Sequence, residues 1–126
     1  MSTMIEVVKK RLESLGYEVV DHDNWALSFI IEKTSDHIEN SCNISTIPDN
    51  LFFFTADFIC TEFLRGKKAI GQLEGFDVEA AVKQIKAGDT SITYAIADSM
   101  DSLESLHQSM NMSLQQQLVK YRRLAW

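Results

Sequence analysis

Positions 51–64 read Leu-Phe-Phe-Phe-Thr-Ala-Asp-Phe-Ile-Cys-Thr-Glu-Phe-Leu. Wound at 3.6 residues per turn, they leave almost no polar face. A helix that is apolar on every side must be covered on every side. Phe52, Phe53, Phe54, Phe58 and Phe63 each carry a large burial contribution, so this segment is predicted to be the core of the domain. Thr46-Ile47-Pro48 starts it, with Pro48 in the first turn, where a missing N–H breaks no helical bond. Three neighbours can come from the same chain. Any apolar face left over calls for another copy or a partner.

Amphipathic segments flank this helix. Thr3 with Glu6 three residues later is a capping-box pattern, and Ile5, Val8, Leu12 and Leu15 follow as a narrow apolar stripe closed by Gly16. Asp21, His22 and Asp23 supply capping side chains for a second helix over about 24–42. Its inward face is predicted as Leu27, Ile30, Ile31, Thr34, Ile38 and Cys42, with Glu32, Lys33, Asp36 and Glu39 outward. Arg65-Gly66-Lys67-Lys68 reads as a solvated basic loop, and Gly66, Gly71 and Gly75 punctuate the connection that follows. The last helix, capped by Asp98 or Ser99, shows one seam of Leu103, Leu106, Met110, Leu114, Leu118 and Tyr121. Gln115, Gln116 and Gln117 suit a solvated face or a subunit contact.

Between these lies a corner. Asp77 is a suitable N-cap, and Val78, Val82 and Ile85 share one face of a short helix. Gly88 is suited to the left-handed position that ends a helix, and Asp89 and Thr90 can bond the nearby backbone. Ile92, Tyr94 and Ile96 then alternate with Ser91, Thr93 and Ala95, the period of a half-buried strand. The predicted fold is therefore mainly α: a small helical bundle around a central hydrophobic helix, with a short β-strand or hairpin between the penultimate and last helices. A lone strand needs a partner, which the same segment of a neighbouring subunit could supply.

The Ile-x-x-Gly-Asp-Thr-x-Ile-x-Tyr stretch, followed by a last helix closing on Tyr-Arg-Arg-Leu, resembles the head–tail connector (adaptor, head-completion) proteins of bacteriophages and prophages. The order of these motifs, with three helices ahead of them, covers nearly the whole chain after Asp21. The resemblance implies one domain over 1–126, with 1–20 as an N-terminal extension helix that departs from the usual pattern and 122–126 as a docking tail. It implies a virion neck or phage-like particle as the location, assembled from protein made in the bacterial cytoplasm. It also implies a ring, dodecameric when assembled, beneath the portal protein. Below the ring a tail completion or tail terminator protein would follow, and DNA would only pass through the channel. Gly88, Asp89, Thr90, Ile92 and Tyr94 would form the ring-assembly corner. Tyr121, Arg122, Arg123, Leu124 and Trp126 would dock on the portal or another partner, Arg and Trp being frequent interface anchors.

Composition narrows the alternatives. The chain has 126 residues, 45 % hydrophobic and 24 % charged, which suits one globular core. A net charge of −6 lacks the basic footprint of a DNA-binding surface, and suits a channel wall that phosphate slides past. Cys42 and Cys60 form no CxxC pair and read as buried thiols of a reducing compartment. The first residues lack the basic start and apolar run of a signal peptide, and no membrane span is expected.

The same pattern points away from catalysis. His22, His37 and His107 stand at no metal-ligand spacing, and His37 and Cys42 fall on different helical faces. Gly71-Gln72-Leu73-Glu74-Gly75 lacks the lysine of a phosphate loop, and no serine sits in a nucleophile elbow. No enzyme, metal or cofactor is expected. The competing reading is a small helical regulatory or inhibitor module that binds one host protein through its aromatic helix or its C-terminal segment. A weaker third is an enzyme with a pocket between helices.

Overall fold

The computed structural model describes residues 3–42, 47, 49–73, 75–88 and 102–121. They form five helices: α1 (Met4–Ser14), α2 (Asp23–Cys42), α3 (Asp49–Ala69), α4 (Val78–Gly88) and α5 (Ser102–Tyr121). α3 lies against α1, α2 and α5, while α4 packs chiefly on α5. The ion pairs Lys67–Asp23 and Arg65–Glu104 join the C-terminal turns of α3 to the N-terminal turns of α2 and α5. Both neighbours therefore run antiparallel to α3 and parallel to each other.

The expected class is corrected by this architecture. Among the described residues there is no β-strand, so the bundle is helical throughout, and the strand or hairpin assigned between the last two helices has no counterpart in it. The residues of that assignment, Ser91 to Ile96, lie outside the described residues. The physical reason for the correction is pairing. An alternating stretch becomes a strand only where a second strand offers its edge, and among the described residues none is formed.

Local chemistry sets the ends. Thr3 Oγ1 accepts a bond from the Glu6 amide at 3.4 Å, the first half of the expected capping box. At the other end of α1, Tyr17 N–H bonds Leu12 O at 2.9 Å and Gly16 N–H bonds Glu13 O at 3.0 Å, with Gly16 at φ 95°. That left-handed exit needs a glycine. α3 closes in the same way on Gly71, with Gln72 N–H on Lys67 O at 2.9 Å. The basic run Arg65-Gly66-Lys67-Lys68, expected as a loop, is thus the last turns of α3. Cations at a helix C-terminus are favoured by its dipole, and Lys67 has an ion-pair partner there. Asp77 caps α4, its Oδ1 accepting from Ala80 N–H at 3.0 Å.

The core follows the apolar seams closely. Val8, Leu12, Leu27, Ile38, Leu51, Ile59, Leu64, Ile85, Leu103, Leu106, Met110, Leu114 and Leu118 are buried. Ile5, Ile30 and Ile31 are only half-buried. Ser105, Ser109 and Ser113, spaced by four on α5, are buried too, which lets that helix approach its neighbours closely.

Candidate functional site

Three features of the surface stand out. The first is a cleft of about 400 Å³ between α2, α3 and α5. Thr34, Phe58 and Leu114 form its floor, and Lys33, His37, Arg65 and His107 stand at its rim with Glu62. His107 and Glu62 make a tight imidazole–carboxylate contact, and the His107 ring stacks on Phe58 at 5.4 Å between centroids. The hydrogen bond from His107 holds the Glu62 carboxyl below its ordinary range against the opposing effect of burial, with Lys33 and Arg65 adding to it. The contact braces α3 against α5.

The second feature is an aromatic stripe on α2. Trp25 and Phe29, one turn apart, stack nearly parallel, with 5.4 Å between centroids and 11° between planes. They are 75 % and 51 % exposed. Glu32 and Asp36 continue the same face at helical spacing and are exposed.

The third is Phe53, on the apolar girdle of α3 and 71 % exposed. Beside it a groove of about 290 Å³ is lined by Val7, Arg11, Ala56 and Asp57. Arg11 Nε donates to Asp57 Oδ1 across that groove at 2.8 Å.

The residues that the sequence singled out are placed as follows. Gly88 is the last residue of α4 and Tyr121 the last of α5. Asp89, Thr90, Ile92, Tyr94, Arg122, Arg123, Leu124 and Trp126 lie outside the described residues. Two groups that the sequence reading gave other roles do structural work. Asp23, taken as a cap, is fully buried: it accepts from Tyr17 Oη at 2.8 Å and from Val20 N–H at 3.2 Å, and pairs with Lys67 Nζ at 2.7 Å. Burial alone would push its carboxyl up; the bonds from Lys67, Tyr17 and Val20 bring it below the usual range. Tyr17 in turn is pushed far up by burial and by that carboxylate. Lys67, taken as part of a solvated basic loop, is the ion-pair partner of that carboxylate.

Among the described residues no group of three or more His, Cys, Asp or Glu side chains is placed to hold a metal ion. No helix among them is long and apolar enough to cross a membrane. Comparison of the chain with protein-family models, with curated proteins and with solved structures finds no match.

Proposed function

We propose that this chain is a structural subunit of a phage or prophage neck, a head–tail connector that forms a ring beneath a portal and joins head to tail. The observation that carries the reading is the ordered pair of motifs, Ile85-x-x-Gly88-Asp89-Thr90-x-Ile92-x-Tyr94 and the closing Tyr121-Arg122-Arg123-Leu124, on a small helical chain. Exposed aromatic residues on separate helices support it, because a ring subunit needs contact surfaces on more than one side. The acidic balance of −6 agrees with DNA that passes through without being held. In this reading Gly88, Asp89, Thr90, Ile92 and Tyr94 belong to the contact between subunits, and residues 121–126 to partner docking. No chemistry is asked of the chain.

A second reading keeps one observation of its own. The Trp25–Phe29 stack is a compact anchor of the kind that a module binding a single host protein would present. The experiment that separates the two is recovery from the native source through an N-terminal tag, with mass spectrometry of companions and electron microscopy of the eluate. A portal or tail protein together with rings is the expected result. A single host regulator without rings would discard the connector.

A further inference from the structure

We propose that the cleft between α2, α3 and α5 is a binding site for a small organic anion, a compound with one acidic head and a compact apolar body. The proposal goes beyond the neck reading and does not rest on it.

Size and floor suit such a ligand. The cleft measures about 400 Å³, and small-molecule sites run from about 300 to 1,000 Å³. Ile30, Phe58 and Leu114 give it an apolar lining, and the Phe58 ring is stacked on His107. Ile30, Lys33 and His37 recur at steps of three and four residues, so one face of α2 presents both the apolar wall and its charged edge.

The rim decides the sign of the ligand's charge. Lys33, His37, Arg65 and His107 are four groups able to carry positive charge, and Glu62 lines the cleft beside them. That carboxylate is engaged by His107. Arg65 spends its Nε on Glu104 at 2.8 Å. Lys33 differs from both. It acts on the Glu62 carboxyl through space, yet it is exposed and makes no ion pair among the described residues. Its ammonium is the charge left over. A cationic ligand would meet Lys33 and Arg65 with the one lining carboxylate already bonded. A neutral ligand would strip water from Lys33 and return no partner for it. An anion gains the ammonium, while its apolar body is covered by the floor. The chain carries a net charge of −6, so such a local surplus of cations is where an anion can stay.

The test titrates the isotopically labelled full chain with 2-naphthoate, followed by NMR. Saturable binding with a Kd below about 1 mM is expected, with Overhauser contacts from the rings to the methyl groups of Ile30 and Leu114. 2-Naphthylmethanol keeps the rings without the charge and should bind at least ~10-fold more weakly, the scale of one lost hydrogen bond to a charged group. Lys33→Glu should weaken naphthoate by at least the same ~10-fold. Lys83→Glu makes the same change of net charge on the exposed side of α4, and should alter binding less than ~2-fold because solvent and salt screen it. Both lysines are exposed, so both variants should keep the parent's amide spectrum away from the substituted residue. Absence of saturation, equal binding of the alcohol, equal weakening by the two variants, or ring contacts at Trp25 or Phe53 instead would each overturn the site.

Discussion

Asp23 shows how much one side chain can hold in a chain of this size. Its carboxylate ties the α1–α2 connection, through Tyr17 and Val20, to the last turns of α3 through Lys67. Lys67 also lies 5.6 Å from the Phe63 ring centroid and donates to Gln72. Removing the carboxylate would leave this largely buried ammonium without its charge partner. Asp23→Asn is therefore expected to cost about 3 kcal/mol in urea unfolding at neutral pH. The sign with pH is fixed by the lowered carboxyl. Its contribution is fully present above the unfolded value of about 3.9 and is lost as pH falls through the folded one. The gap between parent and Asp23→Asn should hold from neutral pH down to about pH 4 and narrow below it. A gap that stays constant to lower pH would show that the carboxylate's charge is not what matters. A second residue-scale expectation concerns Cys60, whose thiol is pushed far up by burial and by Asp57. It should react with a disulfide reagent no faster than the protein opens, as read by mapping the modified peptides over time.

At the scale of the element, α3 shows both what sequence pattern reveals and where it stops. That residues 51–64 form a helix needing cover on all sides was legible, because apolar side chains at nearly every position admit no other arrangement. Which of five phenylalanines would be left in solvent was not, since that depends on the crossing of α1 over α3. Phe54 and Phe53 are neighbours in sequence, yet Phe54 is buried and Phe53 exposed. Phe54→Ala is expected to cost roughly 3–5 kcal/mol and Phe53→Ser less than about 0.5, compared as urea midpoints. An equal loss in both would mean that Phe53 is covered. The basic run after Leu64 was misjudged for a related reason. Its charges look solvated when read alone, but Lys67 is held by Asp23, forty-four positions earlier by their numbers, and no local window contains both.

The interhelical pairs share that limit. Glu62 and His107 lie on different helices, and only the antiparallel fit of α3 and α5 brings them together. Glu62→Gln should destabilise by about 1.5 kcal/mol near neutral pH, the scale of a hydrogen bond to a charged group. A double-mutant cycle with His107→Ala assigns that loss to the pair if the two effects fail to add. Of the candidate site, the α2 stripe was half visible. Glu32 and Asp36 read as outward, and Phe29 sits one turn before them, but a lone aromatic outside the predicted core face carries no signal until its partner Trp25 is seen stacked beside it. The ring-corner and docking positions were chosen by resemblance, and most of them lie outside the described residues.

For the molecule as a whole, the arrangement of helices implies an order of opening. α3 touches α1, α2 and α5, so its amides are released only when the bundle comes apart. α4 is shorter, packs chiefly on α5 and contributes Ala81, Val82 and Ile85 to the core. Losing α4 would expose those three side chains and part of one face of α5, while the Asp23–Lys67, Arg11–Asp57 and Glu62–His107 contacts stayed in place. Native-state hydrogen exchange should therefore find the amides of Val82 and Ile85 opening at a free energy at least ~2 kcal/mol below that of Ile59 and Phe63. The difference should shrink as denaturant rises and global unfolding takes over both sets. Equal protection at low denaturant would instead place α4 in the same cooperative unit as α3. In the first case, α4 can move while the packing of α2 on α3 is kept.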